Sequence, residues 1–196
     1  MAIIKRTVLA LTLAAAAINA QEITPIENGA LQGNVTFGPL DVVRVFAGIM
    51  DGILHTDHLD YLLTCMNGTD SLVVDVESMV TDFKQGNSVG IAHGIMDIGK
   101  FLQDLPPTVY YCGGIPDDFA KLGKFFSIFG DGAALSQRIT YNLLWYYADI
   151  NGAVQAALRN WDNGLYYNFG KELGNALVLA IGDHSSFSSA PQAFLQ

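Results

Sequence analysis

From Leu40 onward, apolar residues recur every three to four positions, the spacing of one face of a helix. Pro39 stands where a first helix can begin, followed by Val42, Val43, Phe46, Ile49, Met50, Ile53 and Leu54. A second, short helix is expected from an Asp57 cap through Leu59, Leu62 and Leu63 to Cys65, with Asn67-Gly68 breaking it. Thr69 or Asp70 can cap a third, carrying Leu72, Val73, Val76, Met79, Val80 and Phe83. Gly86 closes that helix, and Asn87 or Ser88 restarts the chain into Val89, Ile91, Ile95, Ile98, Leu102 and Leu105, stopped by Pro106-Pro107.

Asp117 and Asp118 open a fifth segment with Phe119, Leu122, Phe125, Phe126 and Phe129 on one face and Lys121 and Lys124 opposite. The longest periodic run goes from Ala133 to about Arg159, with a kink expected near Gly152. Trp161-Asp162-Asn163-Gly164 separates it from a last helix ending at Gly182, and residues 183–196 read as a flexible tail. Strand signals are sparse, with no hairpin turn flanked by alternating hydrophobics. The pattern predicts an all-α bundle of about six to seven helices, in a single domain over residues 39–182.

Glycine placement adds a packing expectation. Gly48 and Gly52, Gly90 and Gly94, and Gly170 and Gly174 each place two glycines on one helix face. A helix-interior glycine costs about 1 kcal/mol relative to alanine, and close approach of two backbones can offset that. The competing explanation is abundance, since glycine makes up 20 of 196 residues. Asp75-Val76-Glu77 through Ile98-Gly99 also parallels Asp149-Ile150-Asn151 through Leu173-Gly174, as helix, polar turn and helix. Two related αα-hairpins and coincident helical periodicity account for this equally well.

The first twenty residues change the picture. Lys5 and Arg6 precede an apolar run from Val8 to Ile18 that ends at Ala20, the arrangement of a cleavable signal peptide over residues 1–20. That run is too short to span roughly 30 Å of hydrocarbon. A secreted or extracellular protein is expected, opening with an extended arm over 21–38. The whole chain carries a net charge of −9 from 10 basic and 19 acidic residues. Losing Lys5 and Arg6 makes the mature balance more acidic still, which disfavours phosphate backbones and anionic lipid headgroups, so no nucleic-acid partner is expected. No mature segment is long and apolar enough to predict a transmembrane helix.

Two cysteines, Cys65 and Cys112, would have only each other in an oxidising compartment. Their disulfide would stabilise the fold by roughly 4 kcal/mol through loop closure. Asn34-Val35-Thr36 and Asn67-Gly68-Thr69 are N-glycosylation sequons, making Asn34 and Asn67 candidate acceptors on the surface of a secreted glycoprotein.

Candidate chemistry is thin. Gly86-Asn87-Ser88-Val89-Gly90 matches a nucleophile-elbow motif, but that motif needs a strand before the serine, and an amphipathic helix is expected there. Asp131, Asp149 or Asp162 with His184 could complete a triad order. His55 and His58, with Asp51 one turn earlier, are weak candidate metal ligands. Thr56-Asp57 reads as a helix start that would separate the two histidines. His93, between Ile91 and Ile95, is expected to be packed or at a boundary. No carboxylate pair stands out and no cofactor is implied. The second half is rich in Tyr and Trp, including Tyr141, Trp145, Tyr146, Tyr147, Trp161, Tyr166 and Tyr167. Core packing accounts for most of these, and an apolar ligand cleft is the alternative.

The signal peptide, Cys65, the Asp75-to-Lys84 helix, Gly90-Ile91, Ile98-Gly99, Pro106 and Cys112 together resemble small secreted two-cysteine helical proteins of ciliates, over roughly residues 45–182. That resemblance implies compartment and architecture and brings no activity. The chain is also similar to saposin-type lipid binders in size and helicity, but the six-cysteine framework of that family is absent. The expectation is a non-enzymatic secreted or cell-surface helical protein acting by binding or assembly, by self-association or on an unknown partner. The alternatives are an extracellular carrier of a lipid or other small apolar ligand and a serine hydrolase using Ser88.

Overall fold

A computed structural model of the protein describes residues 36–66, 70–105 and 116–182. The described chain is all-α, with seven helices and no strand among the described residues. They are α1 (Pro39–Leu54), α2 (Leu59–Cys65), α3 (Asp70–Phe83), α4 (Ser88–Gln103), α5 (Pro116–Phe126), α6 (Gly132–Asp162) and α7 (Tyr166–Ile181). A 3₁₀ segment, Ser127–Gly130, joins α5 to α6. No helix among the described residues is long and apolar enough to cross a membrane. The expected signal peptide over residues 1–20, Asn34, Asn67, Cys112, His184 and residues 183–196 lie outside the described residues, as does the expected arm before Thr36.

Helix α1 is the centre. Pro39 supplies a preset φ at its first turn, and the Asp41 carboxylate accepts from the Gly38 backbone N–H at 3.1 Å. Every residue from Val45 to Ile53 is buried, so the helix is enclosed on nearly all sides. It packs on α7, and the contact is made by four glycines. A Cβ added to Gly48 would run into the Tyr167 carbonyl, and one on Gly170 into the Val45 carbonyl. Gly52 and Gly174 face each other so closely that a Cβ on Gly52 would lie 2.8 Å from the Gly174 Cα. Two of the three glycine pairs in the sequence thus meet across one seam. The third serves a different purpose: Gly94 leaves room for the Phe83 ring, 2.5 Å from where its Cβ would be.

The other face of α7 packs on α6. There the buried Asn142 of α6 donates from Nδ2 to the Ala180 carbonyl at 2.8 Å, satisfying one of the last carbonyls of α7. Gly182 then ends the helix in the left-handed region at φ 67°, pressed against the Asn142 amide. Helices α3 and α4 form a hairpin whose turn also uses a left-handed glycine, Gly86 at φ 69°. The α6–α7 turn repeats this with Gly164 at φ 71°. The two hairpins share turn chemistry but differ in capping. The Asn87 side chain accepts from Val89 and Gly90 N–H groups to start α4, while Leu165 before α7 offers no side-chain cap.

Three expectations need correction. The interruption of α6 falls at Tyr146, with φ −119° and ψ 23°, and not at Gly152, which lies in regular, exposed helix. Trp161 and Asp162 belong to the last turn of α6 and not to the connection. Phe129 leaves the α5 face altogether and sits in the 3₁₀ segment, where its ring fills the space over Gly99 of α4.

Candidate functional site

The sequence-flagged histidines are held apart by the start of α2. His55 terminates α1 in the left-handed region at φ 57°. His58 is the residue before α2, and the Asp57 carboxylate accepts from the Leu59 N–H at 2.9 Å to begin that helix. The neighbour of His58 comes from sixty residues away: its Nε2 lies 2.8 Å from Asp118 Oδ2 at the start of α5. Lys121, one turn further along α5, donates to the other Asp118 oxygen at 2.7 Å. That ammonium, and then His58, hold the Asp118 carboxyl below the usual carboxylate range. Among the described residues no three His, Cys, Asp or Glu side chains converge as a metal site would require.

Asp51, the third candidate ligand, is committed to α7. It is 6 % exposed and accepts from the Tyr167 hydroxyl at 2.9 Å and from Lys171 Nζ at 2.6 Å. Burial, and then the Asp51 carboxylate, push the Tyr167 phenol well above its ordinary value, so it stays protonated and remains a donor. The triad sits beside the glycine seam and ties the same two helices together. It is a buried charge with both partners supplied, as burial demands.

Ser88 is the first residue of α4, behind the Asn87 cap and the Gly86 turn, and the element before it is the α3 helix. A nucleophile elbow takes its strain from a strand running into a helix, and no such strand precedes this serine. Asp131 caps α6 by accepting from the Ala134 N–H, and Asp162 pairs with Lys84. His93 is exposed. Its neighbours Ile91 and Ile95 are buried, but two residues along a helix is 200° around it, so the histidine between them points away from the core.

Between α3 and α4 lies a second polar strip. Buried Asp75 is paired with Lys100. Ser78 donates to Asp97 at 3.0 Å, and partial burial raises the Asp97 carboxyl above its ordinary value, with nearby Asp82 adding to the rise. These side chains pair with one another across the two helices.

The aromatic inventory divides between core and surface. Phe125, Tyr166 and Phe169 are buried, and Trp161 stacks among Phe37, Tyr166 and Phe169 with ring centroids 4.7 to 5.3 Å apart. The aromatics in the middle of α6 do the opposite. Tyr141, Leu144 and Trp145 are 61, 75 and 65 % exposed, and Tyr146 and Tyr147 are exposed as well. Six consecutive residues, Leu144 to Asp149, face solvent.

Helical spacing places Tyr141, Leu144 and Trp145 on the side of α6 opposite its buried residues. Before the break at Tyr146 α6 buries Leu135, Ile139, Asn142 and Leu143; after it Ile150, Val154, Ala157 and Leu158. The buried residues of both halves share one side of the helix, and the opposite side is left uncovered through the break. A packed helix seldom leaves a Leu-Trp pair outside, and contiguous apolar surface of this kind marks an interaction site. The exposed face of α6 is therefore the candidate functional site.

No protein-family model, no curated protein and no solved structure matches this chain.

Proposed function

We propose that this is a secreted or cell-surface helical protein that acts by binding or assembly, and that the outer face of α6 is its docking surface. The observation that carries the reading is the exposure of Tyr141, Leu144 and Trp145 on one face of a long, interrupted helix. Tyr and Trp supply large apolar contact area with a polar end and few torsions to freeze, the composition of interface anchors. The signal-peptide pattern and the acidic balance support export, and export supports a Cys65–Cys112 bridge and glycans on Asn34 and Asn67. Cys65 is the last residue of α2 and is exposed.

A photoreactive phenylalanine analogue placed at Trp145 tests the assignment. Irradiation of the secreted protein in its own medium is expected to give covalent adducts from position 145 and none from the exposed Lys124 of α5. Equal labelling from both positions, or none from either, would overturn the docking face.

A further inference from the structure

The face just assigned has the makings of a self-complementary surface. Tyr141, Leu144, Trp145, Ala148 and Gly152 fall at i, i+3, i+4, i+7 and i+11, one face of the helix, and all five are exposed. Two large rings and a leucine occupy its first half. The second half is flat: Ala148 is small, and a Cβ on Gly152 would meet nothing within 4 Å. A second copy laid antiparallel, with its two-fold axis between Leu144 and Trp145, sets Tyr141 of each copy over Ala148 of the other. Leu144 then meets Trp145 across the axis. Large side chains enter the space that small ones leave.

The charges select the same direction. Arg138 lies one turn before Tyr141 and Asp149 one turn after Trp145, on the same flank of the stripe. Both are exposed, and neither is in an ion pair among the described residues. In an antiparallel pair equal flanks meet, so Arg138 of one copy comes within about 3 Å, along the axis, of Asp149 of the other at 1.5 Å per residue. The symmetry makes the contact twice. A parallel pair would bring opposite flanks together and leave both charges unmatched.

Three side chains exposed to this degree present on the order of 400–500 Å² of apolar surface, the upper range of what a monomer shows. With a polar rim that is enough for the core of a standard interface, which buries roughly 800 Å² per partner. We propose that the protein forms a two-fold dimer through α6, with Leu144 and Trp145 at its centre and reciprocal Arg138–Asp149 pairs at its ends. The proposal rests on α6 being the docking face and names the partner as a second copy of this chain.

Sedimentation equilibrium of the mature secreted protein from 1 to 100 μM tests it. A dimer is expected, with Leu144→Ser/Trp145→Ser monomeric over the same range. Arg138→Glu alone puts two acidic groups together at both ends, and Asp149→Arg alone two basic ones. Each is expected to weaken self-association at least tenfold. An equimolar mixture of the two restores both pairs, so a heterodimer of near wild-type affinity should form. The double swap Arg138→Asp/Asp149→Arg should dimerise by itself, which guards against a single variant that fails to fold.

A wild-type monomer at 100 μM would overturn the proposal, as would single charge reversals without effect or a mixture that stays monomeric. The adducts at position 145 separate this failure from failure of the docking face. Adducts of homodimer mass support both claims. Adducts to a different protein or to lipid keep the docking face and remove the second copy.

Discussion

At the scale of single residues, the glycines of the α1–α7 seam are the least replaceable positions in the chain. A methyl group at Gly170 would enter the Val45 carbonyl, and backbone cannot rotate out of the way as a flexible side chain can. Gly170→Ala is expected to cost about 2–3 kcal/mol or more in chemical denaturation. Gly123 of α5 has nothing within 4 Å of where its Cβ would sit, so Gly123→Ala should stabilise by up to about 1 kcal/mol. Equal effects at the two sites would contradict the seam. The spacing of the glycine pairs was legible in the sequence. Which pair meets which was not, because a four-residue spacing marks a helix face and carries no address for its partner. His93 shows the complementary error: its neighbours in sequence are core residues, but helical geometry turns it outward.

At the scale of elements, the amphipathic pattern yields the helices and most of their ends, because Pro39, Gly86, Asn87 and Gly182 act through local chemistry alone. The interruption of α6 is different. Kinks usually follow from Pro, Gly or an inserted group, and Tyr146 offers none of these as a signal. The break shows only when both halves of α6 have found their partners.

Asp97, on the strip between α3 and α4, has a carboxyl raised above its unfolded value, chiefly by burial. A group of that kind favours the fold while protonated, and its contribution is lost as pH rises through the raised folded value. Asp97→Asn keeps an acceptor for Ser78 and removes the charge, so it should raise the melting temperature at pH 7. The gain should vanish near pH 3, where the wild-type carboxyl is already neutral. A constant difference at both pH values, or a loss at pH 7, would contradict the assignment.

At the scale of the whole molecule, the arrangement of the helices is fixed by contacts between distant parts of the chain. His58 meets Asp118, Asp51 meets Tyr167 and Lys171, and Phe37 meets Trp161, none of them suggested by local spacing. The all-α class was legible because it is the sum of local periods. The polar pairs were not, since a residue's partner across sixty or more positions depends on how the helices are arranged. Cys65 belongs to this set through its proposed bridge to Cys112. Cys65→Ser is expected to lower stability by about 4 kcal/mol under oxidising conditions. It should change nothing once the wild type is reduced, and an equal loss in reductant would contradict the bridge.

The pairing of α1 with α7 also constrains how the protein is made. A growing polypeptide that has not yet reached residue 174 holds the segment Val45 to Ile53, buried throughout in the fold, with no glycine track to lie against. Early-folding pieces cannot relieve this, because closing so long a span is slow and must wait for synthesis to pass that point. The α1–α7 core therefore closes only after the C-terminal helix has been made, whereas the α3–α4 hairpin can form from neighbouring chain alone.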